Sequence, residues 1–169
     1  MLAENKKELD NIMNRFSNDF DGLKFKKEQE RQEQQEFMRE FGRLKKDVIW
    51  PAIADIGNQL TEYKNDFHVS EEDEYLDATA NFSPASITLN IYPAFIDKAL
   101  YKPESTPYIS FVANKYGRKV GIMVSTMMPH EGGVIGSHGE FDTTEITPEF
   151  VEREIIEVLK NTLFLHNTK

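Results

Sequence analysis

Two histidines and two carboxylates fall within eleven residues of this 169-residue chain, in His130-Glu131-Gly132-Gly133-Val134-Ile135-Gly136-Ser137-His138-Gly139-Glu140. Imidazole nitrogen and carboxylate oxygen together make a reasonable ligand set for zinc or iron. On an extended strand His138 and Glu140, two residues apart, would project to the same side. The spacing matches no metal motif, because His130-Glu131 has no second His at helical spacing. His130, Glu131, His138 and Glu140 are therefore candidate ligands set against a plain alternative. In that alternative the four glycines turn a hairpin loop whose polar side chains face water.

Other chemistries find less support. A phosphate-binding loop needs a helix directly after its glycines, so that the helix N-terminus meets the phosphate. Here the chain continues into a short strand-like segment. Ser125 and the pair Ser137-His138 lack the strand-to-helix turn that exposes a nucleophilic serine. The acidic run Glu71-Glu72-Asp73-Glu74 lacks the spaced oxygens and central Gly of a calcium loop, and reads as a solvated turn. His68 and His166 stand alone and read as surface residues. Trp50, beside Pro51, reads as a core anchor. The sequence thus predicts no catalytic residue and no cofactor, and favours a non-enzymatic protein.

Composition narrows the classes further. There is no cysteine, so disulfides and thiolate chemistry are excluded, and a reducing, cytoplasmic setting is the expectation. The first residues lack the apolar run of a secretory signal, and no stretch approaches the roughly 20 apolar residues that cross a bilayer. No membrane association is expected. The net charge of −9 is unevenly placed. Residues 1–50 carry eleven Lys or Arg against eleven Asp or Glu, and residues 51–169 carry nine against eighteen. Nucleic-acid binding is driven by neutralising phosphates, so an acidic main body speaks against it. The cluster Lys24, Lys26, Lys27 is diluted at once by Glu28, Glu30 and Glu33.

The sharpest pattern lies at the N-terminal end. Leu9, Met13, Phe16, Phe20 and Leu23 recur at spacings of four, three, four and three. That is the period of an apolar seam between two helices. Whole heptads later the same register meets Phe37, Phe41, Leu44 and Val48. Between the blocks the seam positions are polar: Lys27, Glu30 and Gln34. Two readings stand, a continuous helix with a solvated middle and a helical hairpin broken near Asp21-Gly22. The block from Phe37 packs on its own domain. The block from Leu9 to Leu23 is predicted to be an interface with a second copy, giving a homodimer.

Pro51 then starts a new register, with Ile53, Ile56, Leu60, Tyr63 and Phe67 on one side, and a helix is predicted over 51–65. From residue 66 the period changes to two. Ile87, Leu89 and Ile91 form one inward face, Ile109, Phe111 and Ala113 another, and Val120, Ile122, Val124, Thr126 and Met128 a third. Earlier strands are expected at Phe67–Val69 and Tyr75–Phe82, and a last one at Glu140–Thr144. Lys115-Tyr116-Gly117-Arg118 reads as a hairpin turn, with Gly117 supplying the positive φ. Thr147-Pro148-Glu149 is a helix start, opening an apolar stripe of Val151, Ile155, Val158 and Thr162. The expected fold is α+β: a long N-terminal helical segment, an antiparallel meander of about 4–6 strands, and a closing helix. The chain divides into a coiled-coil-like extension over 1–46 and an α+β domain over 47–165.

Val48-Ile49-Trp50-Pro51-Ala52-Ile53-Ala54-Asp55-Ile56-Gly57, followed by a meander and by Glu145-Ile146-Thr147-Pro148 leading into the last helix, resembles the layout of bacterial proteins of unknown function. The resemblance covers residues 37–165 and rests on structural motifs. It implies a fold and no site residues. The functional expectation is a homodimeric interaction module that offers its acidic domain to a protein partner. The alternative is a metal- or small-molecule-binding protein, or a hydrolase, built on residues 130–140.

Overall fold

A computed structural model describes residues 1–164, so Leu165 and His166 lie outside the described residues. The chain resolves into two compact units, Met1–Phe37 and a second beginning at Met38. The first unit is helix alone, the greater part of α1, Ala3–Leu44. The helix runs unbroken past Asp21-Gly22, which settles the continuous reading. One Gly costs about 1 kcal/mol against Ala. The Glu, Gln, Lys and Arg residues that dominate 24–36 are strong helix formers, and Glu28 holds Arg31 at 2.6 Å one turn on.

In the second unit α1 passes into a π turn, Lys45–Ile49, and then into α2, Trp50–Glu62. The Trp50 N–H donates to the Lys45 carbonyl five residues back, and Pro51, which has no N–H, sits in the first turn of α2. The helical path therefore continues through Pro51. The buried residues are Phe41, Leu44, Ile49, Ala52, Ile53, Gly57 and Leu60, with a gap of five between Leu44 and Ile49. A π turn absorbs one extra residue. Ile49, fully buried, thus takes the inward place expected of Val48, which is only half-buried.

Five antiparallel strands form the sheet, in the order β1-β4-β5-β6-β7. They are β1 Asp66–Glu72, β4 Ser86–Tyr92, β5 Tyr108–Asn114, β6 Lys119–Ser125 and β7 Ile135–Phe141. Between β1 and β4 a separate two-stranded ribbon, β2 Tyr75–Leu76 and β3 Phe82–Ser83, replaces the single strand expected over 75–82. The inward faces of β4, β5 and β6 are those the period of two marked, with Ile87, Leu89, Ile109, Phe111, Val120 and Ile122 fully buried. Helix α3, Pro148–Leu163, closes the core with Val151, Ile155 and Val158 fully buried and Thr162 nearly so. The Thr147 hydroxyl caps it by accepting from the Phe150 N–H at 3.1 Å. The α+β architecture and the closing helix follow the expectation.

Three local differences have physical causes. β1 runs on through Glu71 and Glu72, paired with Ile87 and Ser86, so half of the acidic run is edge strand and not turn. In the β5–β6 hairpin the positive φ falls on Arg118, at 54°. A Cβ at Gly117 would lie 2.9 Å from the Asn114 side chain, whose oxygen accepts the Gly117 N–H, so any larger residue there would displace that side chain. The last strand starts at Ile135 and not at Glu140, because edge pairing to β6 satisfies its backbone without any apolar alternation.

Candidate interaction surface

The apolar seam of α1 is a stripe on one face of an uninterrupted helix. Leu9, Met13, Phe16, Phe20 and Leu23 are 46%, 54%, 62%, 56% and 59% exposed, and every residue in 1–33 is exposed. Side chains four apart lie one above the other on a helix, and Phe16 and Phe20 stack along it with ring centroids 6.3 Å apart. Phe20 and Leu23, with the aliphatic stems of Lys24 and Lys27, line a shallow apolar groove on this face. Ile12, 55% exposed, widens the stripe. Its position next to Met13 is one the four-three spacing did not mark, because it flanks the seam.

No such gathering occurs among the candidate metal ligands. His130 is exposed in a turn at φ 64°, and Glu131 follows it there, also exposed. His138 lies on β7, its Nδ1 3.6 Å from the Glu154 carboxylate of α3. Glu140 accepts a hydrogen bond from the Asn114 side chain at 2.8 Å. The same-side geometry expected for His138 and Glu140 is broken by a bulge. Met123 pairs with Ser137 and Gly121 with Glu140, so β7 spends two residues, His138 and Gly139, where β6 spends one. Gly139 takes the φ of +108° this requires. His138 turns to the helix layer and Glu140 stays on the open face. Among the described residues no three His, Asp or Glu side chains come together to hold a metal ion.

The 130s turn does leave an electrostatic mark. Partial burial, with the Glu131 carboxylate nearby, pushes the Tyr101 phenol up to about 12, and its hydroxyl donates to the Pro93 carbonyl. His68 is exposed on β1 opposite Asn90.

Two further concave places belong to the second unit. One, of about 550 Å³, is lined by Gly42, Lys45, Lys46, Trp50, Val69 and Glu71. Trp50 is 43% exposed there, and so is no core anchor. The other, of about 430 Å³, lies on the uncovered face of the sheet. Ser70, Thr88 and Ser110 stand side by side on it across three strands, Thr88 and Ser110 sharing a hydrogen bond of 2.8 Å. Thr88 and Ser110 satisfy one another, and Glu72 and Tyr108 add a carboxylate and a phenol to the lining. The sequence held the signal for this row, as polar residues alternating with the buried ones.

Comparison of the chain with protein-family models, curated proteins and solved structures returns no match. Among the described residues no helix is long and apolar enough to cross a membrane.

Proposed function

We propose that this protein is a non-enzymatic interaction module that homodimerises through Leu9, Met13, Phe16, Phe20 and Leu23 and offers its acidic α+β domain to a protein partner. One observation carries the reading: five large apolar side chains at seam spacing stand about half exposed or more on a helix with nothing over them. An isolated helix of this length is marginal in water, and most helical stability comes from covering an apolar face. A second copy supplies that cover with the same chemistry.

The acidic body supports a protein partner over nucleic acid, and a sequence without cysteine fits a cytoplasmic setting. A metal or small-molecule site on His130, Glu131, His138 and Glu140 is the weaker reading, since among the described residues no three such groups come together.

Sedimentation tests the pairing. The full chain should sediment as a concentration-dependent dimer. The double variant Phe16→Gln, Phe20→Gln, which keeps helix propensity while removing apolar surface, should sediment as a monomer. A wild-type chain that is monomeric at every concentration would remove the proposal.

A further inference from the structure

Because α1 is unbroken, Lys6, Lys27, Glu30 and Gln34 occupy the same stripe as Leu9 to Leu23. Any second copy lying on the stripe must face these charges as well as the apolar block. A parallel pair in register sets each seam residue against its own twin. It would stack Lys6 on Lys6, Lys27 on Lys27 and Glu30 on Glu30, three like-charge layers flanking five apolar ones.

We infer that α1 pairs with a second copy of this chain in the antiparallel sense, about a two-fold axis near residue 18. The inference rests on the reading of this stripe as a self-pairing surface. In an antiparallel pair seam residues meet when their numbers add to a constant, and at 36 the layers match. Met13 meets Leu23, Phe16 meets Phe20, and the stem of Lys27 covers Leu9. Lys6 meets Glu30. Beside the seam Asp10 approaches Lys24, and the stem of Lys26 lies over Ile12. The charges that repel in a parallel pair attract here, and opposite charges on flanking positions fix helix orientation in this way. One like-charge contact remains, Asp19 against its own copy close to the axis.

The overlap makes an independent argument. With the axis at 18, the paired stretch runs from Leu2 to Gln34. Residues 1–33 are the exposed span, and Gln34 is the first residue that is not fully exposed. Shifting the register one heptad either way leaves Glu30 without Lys6.

The lack of native cysteine permits a clean test on the full chain. Lys6→Cys and Glu30→Cys are made as separate proteins and oxidised alone and mixed. Seam partners come within disulfide reach, with Cα atoms about 4.4–6.8 Å apart. The mixture should give a covalent dimer several-fold more abundantly than either protein alone. Equal cross-linking of each protein with itself overturns the antiparallel sense. A sedimenting dimer that cross-links in neither sample overturns the register. A reduced wild-type chain that sediments as a monomer instead removes self-pairing itself. The charge swap gives a second readout. Lys6→Glu should loosen the dimer several-fold, and adding Glu30→Lys should restore it. In a parallel pair the swap would trade like charges for like and restore nothing.

Discussion

Phe16 and Phe41 are both phenylalanines on α1, both at seam positions of one register, and they meet opposite fates. Phe41 is 1% exposed in the second unit, and Phe16 is 62% exposed in the first. Sequence spacing describes the face of a helix. It does not say who covers that face. In the second unit that face is buried within the chain itself. In the first unit Leu9, Met13, Phe16, Phe20 and Leu23 stand exposed among the described residues, and the proposed second copy would be their cover.

Truncation of each phenylalanine should break the comparison most sharply. Phe41→Ala should cost about 3–5 kcal/mol of unfolding free energy, the sum of lost transfer and an unfilled cavity. Phe16→Ala should leave the denaturant midpoint of the α+β unit unchanged and act only on the proposed dimer. Urea unfolding followed at the single tryptophan, Trp50 in the second unit, separates the two. Equal losses at both positions would mean that Phe16 is already covered within its own chain.

A smaller effect is expected at Gly57. A Cβ there would lie 2.4 Å from the Phe67 ring, which packs α2 onto β1. Gly57→Ala should destabilise the second unit by about 1–3 kcal/mol, as overpacking does. Gly22→Ala should do the reverse in the first unit, where nothing lies within 4 Å of the added carbon. It should raise helicity by far-ultraviolet dichroism, since Ala is the better helix former.

The smallest effect concerns charge. In the first unit the shifted groups are partners within one turn: Arg31 donates to Glu28, which lowers the carboxyl and raises the guanidinium. Tyr101 is shifted by burial and by Glu131, thirty residues away in sequence. Its folded value of about 12 lies above the ordinary 10, so the unfolded chain ionises first. The stability this contributes is whole below pH 10 and is lost as pH rises towards 12. A Tyr101→Phe variant should therefore lose less stability than wild type over that range, with one phenolate absent from the ultraviolet titration. A Tyr101 that ionises near 10 would contradict the burial argument.

Much of this was legible in the residues. The period of two placed the inward faces of β4, β5 and β6, and Thr147-Pro148 placed the start of α3. What escaped has a shared cause. β7 reads Ile135-Gly136-Ser137-His138-Gly139-Glu140-Phe141, without alternation, because an edge strand is held by backbone pairing that side chains do not announce. The bulge at His138-Gly139 depends on β6 opposite, and so the two candidate ligands could not be oriented from their own spacing. The positive φ of the β5–β6 turn falls on Arg118 and not on Gly117, because the Asn114 side chain, by accepting from the Gly117 N–H, takes part in setting the turn. The exposed seam was legible as a pattern, and the structure adds its continuity through 24–36, which puts the flanking charges on the same face.

The π turn at Lys45–Ile49 has a consequence for how this chain tolerates changes of length. It holds one residue more than an α-helix would, so deleting a residue there leaves Leu44 and the residue now at Ile49's place four apart, still inward. The deletion would also put Pro51 into a regular α-helical interior, against the carbonyl one turn back. Shortening the chain by one at this point and replacing the proline should therefore succeed together where the deletion alone fails. The extra residue and Pro51 are thus mechanically coupled, each making room for the other.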